Sequence, residues 1–277
     1  MKTRNHNAEI LVDKQCFIFD IDGTICLGNQ PFPEALSLIH HLRADGRRVI
    51  FFTNNASQSP KSCLSRLEAM GFDPREEEMV TSGDVTISYL RAYCPQAEVY
   101  LVGTPALEEQ FLEAGIHLVP PDAPRADVVV TSLDTTLTYQ KLFHACRLIR
   151  GGAEFFSTHP DLNCPIDGGL VMPDSGAIAA VVTATTGKDP HYFGKPYPDG
   201  MEEIAGRAGM SREQMCMIGD RLYTDVAFGK RSGMTAVAVL TGEATEDQIK
   251  GATGDCRPDV VVEHLGVVDR LLFREQW

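Results

Sequence analysis

The chain of 277 residues is short of positive charge: 25 Lys and Arg stand against 38 Asp and Glu, a formal net charge of -13, and the pI is near 5.0. That balance repels a nucleic-acid backbone or an acidic membrane surface unless a local basic patch overrides it. The densest basic stretch, residues 43–48, holds only Arg43, Arg47 and Arg48 beside Asp45 and reads as the solvated end of a helix. Nucleic-acid polymers and membranes are therefore not expected as partners. The eight cysteines contain no Cys-X-X-Cys pair and lack the close spacing of a disulfide-stapled domain, so reduced thiols in a cytoplasmic protein are expected. No apolar run approaches the ~20 residues of a membrane span, and the N-terminal MKTRNHNAEILVDKQ lacks the apolar stretch of a signal peptide. A tandem repeat is also absent, which sets aside a solenoid. So is a GxGxxG turn after the first apolar run, which sets aside a dinucleotide-dependent dehydrogenase.

What is present is the composition of a folded protein, with 43% hydrophobic residues and 24 Gly and 16 Pro spread along the chain. The length suits two domains. QCFIFD reads as a buried strand ending at Asp20, PFPEALSLIHHLRADGRR as a helix, VIFFTNN as a second strand, and the segment from Ser59-Pro60 to Gly71 as a second helix. Strand and helix in alternation predict a parallel sheet with helices on its faces, whose ligands bind beyond the C-terminal strand ends. Residues 81–185 hold a second series of strands and helices from AEVYLVG to AEFFSTHP, then an irregular NCPIDGGLVMPDSG and a helix opening near Ser175. QMCMIGD and TAVAVLTG then resume the first pattern. The expected fold is α/β, a Rossmann-like parallel-sheet core formed by 1–80 and 186–277, with an α/β domain inserted at 81–185.

The strongest local signal is FIFDIDGT, residues 17–24. Two aspartates one residue apart, directly after a buried strand, reach one site if the chain turns at once, and Gly23 makes that turn easy. Neighbouring carboxylates repel, so they need a cation or a shared proton, and a hard, oxygen-seeking ion such as Mg²⁺ meets that need. Further on, FFTNN and MIGDRLYTD also place polar residues after apolar strands, and FGKP sets a lysine beside prolines that fix the local chain.

With these four motifs in this order, the chain from Cys16 to about Leu265 resembles the haloacid dehalogenase-like (HAD) phosphatases. It is most similar to their NagD or para-nitrophenylphosphatase-like branch, in which a large α/β cap is inserted between the second and third motifs. The resemblance implies Asp20 as nucleophile and Asp22 as general acid and base. It implies phosphoryl-oxygen contacts from Thr53, Asn54 and Lys195. Mg²⁺ would be held by Asp20, the backbone carbonyl of Asp22, Asp220 and, directly or through water, Asp225. The implied activity is hydrolysis of a small phosphorylated metabolite through an aspartyl-phosphate.

The same resemblance places a cap loop over the core, with His159, Asp161, Asn163, Asp174 and Ser175 as candidates for substrate specificity. It also suggests a homodimer through the cap, to which the apolar side chains of TYQKLFHACRLI would contribute. A phosphotransferase that passes the group to a hydroxyl acceptor would share all four motifs, whereas a non-catalytic metabolite-binding protein would be favoured by loss of Asp20, Asp22, Lys195 or Asp220, all of which are present.

Overall fold

The computed structural model describes residues 6–166 and 170–274, so the extreme ends of the expected core spans, 1–5 and 275–277, lie outside the described residues. Two compact units divide the chain: Met1–Phe52, Cys63–Val80 and Lys195–Trp277 form the first, and Thr53–Ser62 with Thr81–Gly194 form the second.

The first unit is organised on a six-stranded sheet in the order Val260–Val262, Thr235–Val239, Met215–Gly219, Cys16–Phe19, Arg48–Thr53, Met79–Thr81. Pairings from Val260–Val262 through Arg48–Thr53 are parallel. Every residue of Cys16–Phe19 and Met215–Gly219 is buried. This explains why both read as unbroken apolar runs instead of alternating ones: helices cover both faces of a parallel sheet. The helix Pro33–Ala44 buries Ala35, Leu38, Ile39 and Leu42, one apolar stripe at helical spacing, in the same core as Phe17, Phe19 and Phe51. Strand order reverses between Cys16–Phe19 and Met215–Gly219, and ligands of such sheets bind at that switch point. Asp20 and Asp220 are the residues that immediately follow these two strands.

The second unit has its own five-stranded sheet, ordered His191–Tyr192, Glu154–Ser157, Val128–Thr131, Glu98–Val102, His117–Leu118, with parallel neighbours throughout. Its core includes Tyr100, Val129, Ile149 and Phe155 with Ile178 and Val182 of the helix Ser175–Thr186.

Three features differ from the expectations. The second unit runs to Gly194 instead of 185, because His191–Tyr192 pairs with Glu154–Ser157 as an edge strand. Residues 53–62 also group with it. The stretch expected to be irregular holds an antiparallel pair, Asn163–Ile166 with Leu170–Pro173; both members of a two-stranded ribbon are edges, where Pro165 and Pro173 are tolerated. Residues 167–169 of that stretch lie outside the described residues.

Candidate active site

Four side chains meet in the first unit. Lys195 Nζ donates to Asp20 Oδ1 at 2.5 Å and to the Phe52 carbonyl at 3.0 Å, and it pairs with Asp225 Oδ1 at 2.8 Å. Asp20, Asp220 and Asp225 each offer a carboxylate oxygen within 4.8 Å of the others. Lys195, Asp220 and Asp225 are buried. Burial pushes the Asp20 carboxyl well above the usual carboxylate range, opposed by Lys195 and reinforced by Asp225 and Asp220. Burial also raises Asp220, to about 6, with Asp225 adding to the effect. For Lys195, burial favours the neutral amine, but the charges of Asp20 and Asp225 outweigh it and hold the pKa above that of an ordinary lysine.

Three carboxylates therefore face one ammonium, and the raised pKa of Asp20 and Asp220 reflects burial first and the neighbouring negative charge after it. A hard divalent cation with oxygen ligands relieves such a deficit, and the donor set fits one. The remaining lone pairs are partly used by the protein. Asp220 Oδ2 accepts from the Glu243 N–H at 2.8 Å, and Asp225 Oδ2 accepts from the Arg221 N–H at 3.0 Å, which ties the loop after Met215–Gly219 to itself. Space for these carboxylates comes from glycines. A Cβ on Gly23, whose φ is +87°, would lie 2.4 Å from Asp220 Oδ2; one on Gly242 would lie 2.0 Å from the same oxygen; and one on Gly219 would lie 2.2 Å from the Asp225 Cβ.

Asp22 is not among the three clustered carboxylates. Its side chain is 57% exposed and is held by Arg66, with Nη2 donating to Oδ1 at 2.7 Å and Nη1 to Oδ2 at 3.3 Å. Arg66, Gly242 and Glu243 carry no motif of their own, and sequence reasoning missed them.

In the second unit, Thr53 is buried and its Oγ1 accepts from the Asn55 N–H at 3.1 Å. Asn54 Nδ2 donates to Asp161 Oδ2 at 3.1 Å, and the Asn54 carbonyl accepts from Ser82 Oγ at 2.5 Å. His159 has no exposed surface. Its Nε2 lies 2.8 Å from Asp174 Oδ1, and its Nδ1 lies 2.9 Å from Thr158 Oγ1 and 3.3 Å from Ser82 Oγ. Asp174 also caps the helix Ser175–Thr186, accepting from the Ser175 N–H at 2.6 Å, while Ser175 Oγ lies 2.9 Å from Ser157 Oγ. Asp161 is partly exposed and Asn163 exposed. Thus His159, Asp174 and Ser175 form one buried hydrogen-bond network, and Asp161 and Asn163 lie nearer solvent.

Two family models match the chain: haloacid dehalogenase-like hydrolase over residues 17–117 and HAD-hydrolase-like over residues 192–268. An acid sugar phosphatase of Staphylococcus aureus is 35% identical over 236 residues, 85% of this chain and 90% of that protein. Among solved structures, a 4-nitrophenylphosphatase of Thermotoga maritima superposes with a TM-score of 0.88 at 37% identity, covering 94% of this chain and 98% of the other. A glycerol phosphate phosphatase of Mycobacterium tuberculosis, solved with calcium, gives a TM-score of 0.86 at 31% identity over 93% of this chain and 75% of the other. Matched over most of its length by phosphatases of one family, the chain belongs to the haloacid dehalogenase-like hydrolases, in the NagD and 4-nitrophenylphosphatase branch, and is a phosphoric monoester hydrolase.

Proposed function

We propose that the protein is a Mg²⁺-dependent phosphatase that hydrolyses a small phosphorylated metabolite, a sugar phosphate, nucleotide monophosphate or similar ester, through an aspartyl-phosphate on Asp20. The observation that carries this reading is the cluster of Asp20, Asp220 and Asp225 around the single buried ammonium of Lys195. An Asp20 oxygen attacks phosphorus, and as the new O–P bond forms the bond to the leaving group breaks and Asp22 gives its proton to the departing oxygen. Water then attacks phosphorus, Asp22 takes its proton, and the bond to Asp20 breaks, releasing inorganic phosphate. Lys195 offsets charge on the phosphoryl oxygens, and Thr53 and Asn54 are the further phosphate contacts that the family resemblance implies. Bound by Asp20, Asp220, the Asp22 carbonyl and, directly or through water, Asp225, Mg²⁺ would supply further charge compensation.

The second unit is, in this reading, the inserted cap. The names of the relatives support a sugar phosphate or polyol phosphate as substrate. Asp161 and Asn163 are the specificity candidates whose surfaces suit direct contact, whereas His159, Asp174 and Ser175 fix the loop. A homodimer through the cap is supported by Tyr139 and Phe143, which are 83% and 54% exposed on the helix Tyr139–Arg150. The free cysteines suit a cytoplasmic setting.

Phosphate release from a panel of phosphorylated metabolites, with Mg²⁺ and with EDTA, tests the reading in wild type and Asp20→Asn. Metal-dependent turnover abolished in Asp20→Asn is expected; release that survives either change would overturn it.

A further inference from the structure

Asp22 sits in a segment with little to hold its carboxylate. It is more than half exposed, and as a short side chain with one staggered rotor it would sample several directions if left alone. Beside a long Cys26 Sγ contact to Asp22 Oδ1 at 3.9 Å, one residue removes most of that freedom. Arg66, on the helix Pro60–Ala69, grips both oxygens of Asp22 with the two Nη atoms of its guanidinium. The same group donates from Nη2 to the Gly28 carbonyl at 2.6 Å and from Nε to Asn29 Oδ1 at 3.2 Å. Gly28 and Asn29 are the turn between Cys26–Leu27 and Gln30–Pro31, a short antiparallel pair that begins four residues after Asp22, and Asp22 itself bridges to Cys26. The guanidinium thus joins a helix, a hairpin turn and the carboxylate. Its rigid fork matches both oxygens at once, which a lysine cannot do.

An ion pair this exposed contributes little to stability. What it supplies is direction. We infer that Arg66 is a positioning residue for Asp22, aiming the carboxylate that serves as general acid and base and tying it to the Gly28–Asn29 turn. The inference rests on the proposed role of Asp22 and assigns Arg66 no contact with substrate.

The test compares kcat/KM on two esters, p-nitrophenyl phosphate, whose nitrophenolate departs without needing a proton, and glycerol phosphate, whose alkoxide needs one. Wild type, Arg66→Ala, Arg66→Lys, Asp22→Asn and the double variant Asp22→Asn/Arg66→Ala are measured with Mg²⁺. Arg66→Ala is expected to lower kcat/KM for glycerol phosphate by about 10–100-fold, well within what a positioned acid contributes. Its effect on p-nitrophenyl phosphate is expected to be several-fold smaller, its melting temperature close to wild type, and Arg66→Lys a partial rescue. In the Asp22→Asn background the alanine should add almost nothing. Equal losses on both esters, or losses that multiply in the double variant, would overturn the inference while leaving the phosphatase reading intact. If Asp22→Asn itself leaves glycerol phosphate turnover unchanged, the role of Asp22 fails first and this inference with it.

Discussion

Lys195 Nζ lies 2.8 Å from Asp225 Oδ1, and each of the two side chains is only 2% exposed. Removing the ammonium strands the buried Asp225 and the partly buried Asp20 with no cation between them. Lys195→Met is therefore expected to lose about 10²–10³-fold in kcat, the scale of removing one charge-stabilising donor. In EDTA it should also lose several kcal/mol of stability, of order 3–5, as when one partner of a buried pair is deleted. Steady-state kinetics and denaturant melts check the two effects separately, and Mg²⁺ should restore part of the stability.

The pH dependence follows from Asp220, whose carboxyl is raised to about 6 mainly by burial. For an acid with a folded-state pKa above its unfolded value, the stability it contributes is present below the unfolded pKa and lost as pH rises through the folded one. The metal-free protein should therefore lose stability from this group between about pH 4 and 6. A cation prefers the ionised form, so added Mg²⁺ should raise the melting temperature more at pH 7 than at pH 5. Thermal melts in EDTA and in Mg²⁺ across that range provide the comparison; a metal effect independent of pH would contradict it.

Gly242→Ala adds a methyl group 2.0 Å from Asp220 Oδ2, a separation no packed structure tolerates. The carboxylate must move, and its hydrogen bond to the Glu243 N–H with it. The apparent affinity for Mg²⁺ is expected to fall about 10–100-fold, the usual cost of disturbing a residue that orients a metal ligand. Activity titrated against Mg²⁺ concentration measures this, and saturating metal should recover much of the rate.

Asp174→Ala removes both the cap of Ser175–Thr186 and the acceptor facing His159 Nε2. A lost cap costs about 1 kcal/mol and an unsatisfied buried nitrogen about 1–3 more. Melts should show a drop of about 2–4 kcal/mol. Asp174→Asn, which keeps an acceptor oxygen, should lose less.

The strand ends were legible because strands buried on both faces leave unbroken apolar runs that stop at a polar residue, as CFIF stops at Asp20 and MCMIG at Asp220. Arg66 was not, since an arginine on an amphipathic helix looks like any solvated position until the fold brings Asp22 to it across 44 residues of chain. The helix Ser82–Tyr93 went unread because Gly83 and the β-branched Val85, Thr86 and Ile87 argue against a helix; the local signal was Thr81 with Asp84, a reciprocal cap at its start. His159, before a proline, reads as a turn residue, and only the tertiary structure surrounds both of its ring nitrogens with partners.

The room for the acidic cluster is set by Gly23, Gly219 and Gly242, positions defined by an atom that is missing. A relative could keep every motif aspartate and the lysine, yet be silent through one added methyl at any of the three. Counting acidic motifs across a genome would score such a chain as an enzyme, and a mutagenesis library aimed at ligand-touching side chains would never visit the positions that decide it.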